Sequence, residues 1–170
     1  MIGADLRKAA ERVLKLCRAG GLHVATAESC TGGLVVAALT EIPGSSDVVD
    51  RGFVTYSDDA KRAMLGVPAA TLKRHGAVSA QTAKAMAAGA LKNSSADLAV
   101  SITGIAGPGG GSKQKPVGLV YFAAASRDGR RVARKRLYGA IGRRRVRLRS
   151  VIEALALLQL LARPVRRKES

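Results

Sequence analysis

An apolar run of strand composition, Leu22 to Ala27, passes through Glu28-Ser29-Cys30-Thr31-Gly32-Gly33 into an apolar run of helical pattern, Leu34 to Leu39. A strand that feeds a helix through so short a turn commits the chain to an α/β arrangement. The turn has chemical content as well. A side chain at such a junction is held out of the core, and the first N–H groups of the next helix lie beside it without intrahelical partners. Those groups favour negative charge, whether a phosphate or a developing oxyanion. Gly32 and Gly33 let a substrate approach the backbone closely. Ser29 is therefore the candidate nucleophile. The plainer reading of a serine before two glycines is a helix cap, and Cys30 beside it is either a rival nucleophile or a small buried hydrophobe.

Around this unit the pattern alternates. Residues 4–18 predict a helix that stops at Gly20-Gly21, with Leu6, Ala10, Val13, Leu14 and Cys17 on one face. The helix after Gly33 runs to about Glu41, and Pro43 to Ser46 form a loop. Val48 to Tyr56 has strand composition, and Asp58-Asp59 open a helix that carries Lys61 and ends near Gly66. A short helical piece, Ala69 to Arg74, leads to Gly76; Ser79 then caps an alanine-rich helix that runs to about Lys92. Leu98 to Thr103 is a second compact apolar strand. Val117 to Ala125 and Arg131 to Tyr138 read as strands joined by a hairpin at Arg127-Asp128-Gly129. A helix from about Arg143 to Leu161 closes the pattern. The order predicts one three-layer α/β/α domain with a mixed sheet, its core spanning about residues 5–161 and a basic tail occupying 162–170.

Charge is the compositional oddity. The chain carries a net charge of +17. Residues 1–126 hold 14 Lys/Arg against 9 Asp/Glu, whereas residues 127–170 hold 15 against 3. Such a field draws polyanions and speeds the arrival of an anionic substrate, although charge runs are commonly just solvated faces. Single-strand nucleic-acid readers also need stacking aromatics. Phe53, Tyr56, Tyr121, Phe122 and Tyr138 do not interleave with the basic cluster, which argues against nucleic acid as the partner. Two cysteines argue against a disulfide framework, and two distant histidines form no metal-ligand cluster. The longest apolar stretch, Val151 to Ala162, is broken by Glu153 and Gln159 and falls short of the roughly 18–20 residues that span a bilayer. The charged, helix-patterned amino terminus lacks the apolar centre of a signal peptide. The expectation is a cytoplasmic protein with no membrane partner.

Three features follow predicted strands, where ligands gather in open α/β sheets: Ser29, the segment from Tyr56 to Lys61, and Thr103 with the glycine loop behind it. No histidine lies near Ser29 in sequence, so a lysine base is a live alternative, provided desolvation or a neighbouring cation keeps it neutral. Lys61, just after an apolar strand, is the candidate, although a lysine one turn into a helix is ordinarily solvated. Gly104 to Ser112 holds five glycines within positions 104–111, the composition of a backbone that wraps an anion. It matches neither the triphosphate-binding nor the dinucleotide-binding glycine pattern. Ser112-Lys113-Gln114-Lys115 has the Ser-x-x-Lys spacing, but it lies between polyglycine and Pro116 rather than on a helix.

Ala27 to Gly33, Thr55-Tyr56-Ser57 with Lys61, Gly76 to Ser79, and Thr103 to Gly110 followed by Lys115 to Gly118 together resemble the CinA carboxy-terminal domain family. These are bacterial nicotinamide-nucleotide amidases. The resemblance runs from about Asp5 to Leu161 and is to the stand-alone form of the family. It implies a mixed five-stranded sheet between helical layers and a homo-oligomer. It implies deamidation of a small-molecule nucleotide, nicotinamide mononucleotide, to nicotinate mononucleotide and ammonia in pyridine-nucleotide salvage. The serine mechanism it implies needs no metal and no cofactor. Carried over by position, Ser29 matches the nucleophile and Lys61 its basic partner, Tyr56 and Thr103 match positions lining the site, and Arg143 matches the arginine that opens the last helix. On this basis the oxyanion falls to the backbone around Thr31 and Gly32, with the Thr103 hydroxyl. The ribose phosphate falls to Gly104, Gly107, Gly109, Gly110 and Arg143. Arg143 has a second role open to it, lowering the pKa of Lys61 by like-charge repulsion. In many members an acidic residue stands directly before that arginine; here Ile141-Gly142 precede it, and Arg144 and Arg145 follow. The competing function is a non-catalytic relative that binds an anionic partner through the basic carboxy-terminal segment.

Overall fold

The computed structural model describes residues 3–164. Its elements follow the predicted order: α1 (Ala4–Gly20), β1 (Val24–Glu28), α2 (Leu34–Thr40), β2 (Val49–Val54), α3 (Asp58–Leu65), α4 (Ala69–His75), α5 (Ala80–Lys92), β3 (Leu98–Gly104), β4 (Leu119–Ser126), β5 (Arg131–Leu137) and α6 (Arg143–Ala162). The five strands form one mixed sheet in the order β2-β1-β3-β4-β5. β1 runs parallel to both β2 and β3, while β4 runs antiparallel to β3 and β5. Among the described residues no helix is long and apolar enough to cross a membrane.

Among the boundaries that differ from the sequence expectation, those of β1 and β4 have plain local reasons. The Leu22 amide bonds the Cys17 carbonyl and finishes the cap of α1, so β1 begins at Val24 and extends through Glu28. Gly118 lies so close to the backbone of Gly139 that a Cβ there would be 2.3 Å from its carbonyl oxygen, and β4 begins only after it, at Leu119.

The period of two in the central strands sorts the layers. Val24, Leu98, Val100, Ile102, Val120 and Phe122 face α1, α2 and α6. Ala25, Ala27, Ala99, Ala123 and Ala125 face α3, α4 and α5. The first face carries large side chains and supports long helices; the second is nearly all alanine, which lets α5 lie close to the sheet. The chain leaves β1 through α2 on one face, and leaves β2 through α3 on the other. The adjacent ends of β1 and β2 therefore open a crevice between oppositely directed connections, the position where ligands bind in such sheets. Ser29 directly follows β1. Lys61 sits on α3, four residues beyond Ser57, which caps that helix by accepting the Ala60 amide at 3.0 Å.

Gly89 holds α3 in place. A Cβ at this position of α5 would stand 2.0 Å from the Leu65 carbonyl oxygen, so the two helices touch through backbone. Alanine is the better helix former by about 1 kcal/mol, yet here it has to push α3 away. Gly89→Ala should therefore lower stability by about 1–3 kcal/mol, read as a shifted urea midpoint; an unchanged or raised midpoint would show that the α3–α5 contact yields freely.

Candidate active site

Lys61 is 1% exposed, and its amine lies 3.2 Å from the Ser29 hydroxyl oxygen. It also donates to the Thr55 carbonyl at 2.9 Å and, at the longer distance of 3.5 Å, to the Ser57 carbonyl. A neutral amine has two N–H donors and one lone pair. An ammonium donates to all three oxygens, whereas a neutral amine that donates to the two carbonyls keeps its lone pair for the Ser29 O–H. Burial lowers the Lys61 pKa from its ordinary value of 10.5, against the opposing pull of Asp58 and Cys30. The lowering comes from burial, and no neighbouring cation contributes to it.

Cys30 is buried, and burial pushes its thiol up to about 12. Since the thiolate is the reactive form, this cysteine behaves as the small hydrophobe of the sequence alternatives.

The residue that shapes the serine turn is Glu28. Its side chain is fully buried and accepts the amides of Gly33, Val35 and Val36 at 2.9–3.0 Å, with the Thr26 hydroxyl at 3.2 Å. This carboxylate at the end of β1 caps α2 across the turn, and Ser29 makes no cap bond. The expectation that the first amides of α2 lie free beside Ser29 is corrected accordingly: Glu28 occupies them. The Gly32 amide is also taken, by the Ser29 carbonyl at 3.1 Å. The amides of Cys30 and Thr31 donate to no backbone carbonyl among the described residues.

The remaining candidates gather at the same end of the sheet. Thr103 is buried at the end of β3 and donates its hydroxyl to the Ala77 carbonyl at 2.7 Å. Arg143, the first residue of α6, donates to the Gly107 carbonyl at 3.1 Å and to the Tyr56 hydroxyl at 2.9 Å. Gly107 lies beyond β3 and Tyr56 beyond β2. Arg143 thus ties the loop beyond β3 to the segment beyond β2, the two strands that flank β1. In the glycine loop, Cβ atoms at Gly104, Gly107 and Gly111 would come within 2.6–2.9 Å of Val117, Leu119 or Val120. Close packing thus accounts for these three glycines, a reason that composition alone did not supply. Gly109 faces open space and Gly110 has φ +81°. Thr31 is fully buried, and its hydroxyl has no partner.

Sequence reasoning missed two contributors. Glu28 stood within the quoted motif, but an acid followed five residues later by the glycine that opens a helix is a cap signal only when the intervening turn is known. Arg147 donates to the Thr31 carbonyl at 2.9 Å from the second turn of α6. Its one visible signal is an arginine within the apolar run Val146, Leu148 and Val151. Among the described residues, no three His, Cys, Asp or Glu side chains come together as metal ligands.

The model of one protein family, described as the CinA C-terminal domain, matches residues 6–162. The chain is 50% identical over 167 residues to a CinA-like protein of Akkermansia muciniphila, an alignment covering 98% of this chain and 38% of that protein. It is 51% identical over 138 residues to the nicotinamide-nucleotide amidohydrolase PncC of Escherichia coli, covering 81% of this chain and 84% of that one. The crystal structure of the competence/damage inducible protein CihA from Agrobacterium tumefaciens superposes with a TM-score of 0.95 at 55% identity, covering 96% of this chain and 99% of that chain. The chain spans about a third, 31 to 38%, of the length of the longer curated relatives.

Replacing Glu28 tests the cap. Glu28→Gln keeps the shape but turns donors toward donors, and leaving one or two buried amides unpaired costs about 1–3 kcal/mol each. Unfolding by urea should register a loss of that size, accompanied by a shift of the Gly33 and Val36 amide resonances. An unchanged midpoint would mean that water or the turn itself caps α2.

Proposed function

The chain belongs to the CinA C-terminal domain family, and on that premise we propose that it is a nicotinamide-nucleotide amidase. It hydrolyses nicotinamide mononucleotide to nicotinate mononucleotide and ammonia. The 3.2 Å approach of Ser29 to a buried Lys61 amine is the observation that carries this reading. The 51% identity to a protein named for that activity supports the choice of substrate.

In the proposed reaction the Ser29 oxygen attacks the carboxamide carbon while the Lys61 lone pair takes the hydroxyl proton. The amides of Cys30 and Thr31 are the donors left for the developing oxyanion, because Glu28 and the Ser29 carbonyl occupy the others nearby. The Thr103 hydroxyl, already donating to Ala77, lines the site rather than serving the oxyanion. Lys61 returns the proton to the leaving nitrogen, ammonia departs, and an ester on Ser29 remains. A water molecule, deprotonated by Lys61, then attacks the ester carbon. Breaking the ester bond frees the acid, Lys61 returns its proton to the Ser29 oxygen, and the acid ionises to the carboxylate by giving its own proton to solvent or the released ammonia.

Ammonia release from nicotinamide mononucleotide should fall by at least about 1,000-fold in Ser29→Ala and in Lys61→Ala, with circular dichroism unchanged. A folded Ser29→Ala protein of near wild-type rate would reject this nucleophile.

The direction of the Lys61 shift fixes the pH dependence. The base works unprotonated, so kcat/KM should rise with pH along a limb whose apparent pKa lies below 10.5. The folded state binds fewer protons at Lys61 than the unfolded chain does between that lowered value and 10.5, so this residue's contribution to stability rises with pH across the same window. A limb that persists in the residual activity of Lys61→Ala would assign the titration to another group.

A further inference from the structure

Ser29 is flanked on the sheet by two buried threonines, Thr55 directly beyond β2 and Thr103 near the end of β3. Register and the period of two place all three side chains on one face. Ala27 pairs with Phe53 of β2, and both pack toward α3, α4 and α5. The next row points the other way. Glu28 caps α2, its partner Val54 lies against the start of α2 at Gly33, and its other partner Ile102 belongs to the core beneath α6. The ladder then continues by one residue, since the Thr55 amide donates to the Glu28 carbonyl at 2.8 Å and the Ser29 amide to the Ile102 carbonyl at 3.0 Å. Thr55, Ser29 and Thr103 therefore return to the face that α3 covers. Lys61 of α3 reaches the Ser29 hydroxyl and the Thr55 carbonyl there.

The two threonines differ in what their hydroxyls do. That of Thr103 donates to the Ala77 carbonyl. That of Thr55 is fully buried and has no hydrogen-bond partner among the described residues. A hydroxyl so placed is unfavourable unless something completes it, and reaction centres are where such groups persist. Side chains that neighbour each other on adjacent strands stand about 4.8 Å apart, the strand spacing. That is too far for a direct bond between two hydroxyls, and it is the span of two hydrogen bonds through one water. We propose that Thr55 is the positioning residue for the water that hydrolyses the Ser29 ester, an inference that rests on the amidase reading above.

The reaction needs such a group only in its second half. While Ser29 carries a proton, its own bond to Lys61 aligns the two. Once Ser29 is an ester, Lys61 has to take the proton from a water, and one hydrogen bond leaves that water free to turn. A second bond directs it: one O–H donates to the Lys61 lone pair, the other to the Thr55 hydroxyl oxygen, and a water lone pair is left for the ester carbon. The water oxygen bonds that carbon and its proton passes to Lys61. The ester C–O bond then breaks as Lys61 gives the proton to the Ser29 oxygen, and the second hydrogen of the water stays with the acid. Thr31 carries the other unpaired buried hydroxyl near Ser29 and is the weaker candidate. It lies within the serine turn, outside the ladder whose register places Thr55, and its carbonyl is held by Arg147.

Three variants separate hydroxyl from shape. Thr55→Val removes the hydroxyl and keeps the volume, Thr55→Ala removes it with no added crowding, and Thr55→Ser keeps it. Stopped-flow hydrolysis of para-nitrophenyl acetate resolves the two halves of the reaction, because nitrophenolate appears in a burst as Ser29 is acylated and afterwards at the rate of deacylation. In Thr55→Val and Thr55→Ala the burst should keep its wild-type rate while the steady rate falls about tenfold, the loss of one orienting hydrogen bond. Thr55→Ser should stay within about twofold of wild type in both phases. For ammonia release from nicotinamide mononucleotide, kcat/KM reports the first half alone and should move by no more than about twofold in the three variants. A steady rate that does not slow, a burst or a kcat/KM that falls as far as the steady rate, a serine variant as slow as the valine one, or a wild-type Ser29 that the ester leaves unacylated would each overturn the role of Thr55. A wild type that turns over the ester and frees no ammonia from the mononucleotide would reject the amidase, and the ester kinetics would still decide Thr55.

Discussion

The site depends on an amine held where an ammonium ion is unwelcome. Lys61 is among the largest fully buried side chains, and a charged form there would lose its hydration for two carbonyls and a hydroxyl. Burial lowers the pKa of this amine, and the Thr55 and Ser57 carbonyls with the Ser29 hydroxyl fix its position. Much of the surrounding architecture can be understood as keeping that arrangement closed to water. The alanine face of the sheet brings α5 close, Gly89 brings α3 against α5, and Ser57 fixes where α3 begins. Lys61 is then carried inward on the side of the helix that also buries Leu65.

The other partner is held by a different device. A serine on a five-residue turn with two left-handed glycines has many conformations open to it, and a single hydroxyl bond selects poorly among them. Glu28 removes that freedom by linking the end of β1 to the start of α2 through three amides. A carboxylate in this position is favoured by the helix dipole. It also withdraws those same amides from any role toward substrate. Anchoring the turn and binding an anion at that helix end are alternatives, and this chain uses α2 for the first.

The elements were legible because punctuation and period agree along the chain. Gly20-Gly21, Ser57, Gly66 and Ser79 each bound a helix where the apolar pattern changes, and the Asp128-Gly129 hairpin lies between two strands. Ser29 and Lys61 could be nominated since each follows a strand, but their meeting depends on the order β2-β1-β3, which no local pattern encodes. Glu28 was hidden for a related reason: its partners lie five to eight residues away across a turn whose geometry the sequence does not state. The glycine loop misled in the opposite direction. Glycine needed for close approach to Val117 and Leu119 looks the same, as composition, as glycine needed for a phosphate.

The basic carboxy-terminal segment also looks different once its charges are placed. Arg127 caps the end of α5 through the Leu91 and Ser94 carbonyls, Arg130 pairs with Asp128, Arg134 and Arg136 share Glu153, and Lys135 lies 5.8 Å from the centre of the Tyr121 ring. Arg143 and Arg147 turn toward the serine end of the sheet. What the sequence presents as a continuous surplus is therefore divided: much of it is tied to partners within the fold, and part is aimed at one end of α6. A polyanion-gripping surface needs a row of uncommitted cations along one face. Arg143 and Arg147 instead bond the segments around the serine turn, through the Gly107 carbonyl, the Tyr56 hydroxyl and the Thr31 carbonyl. The remaining field of the protein then acts at longer range, raising the rate at which an anion arrives rather than fixing where it stops.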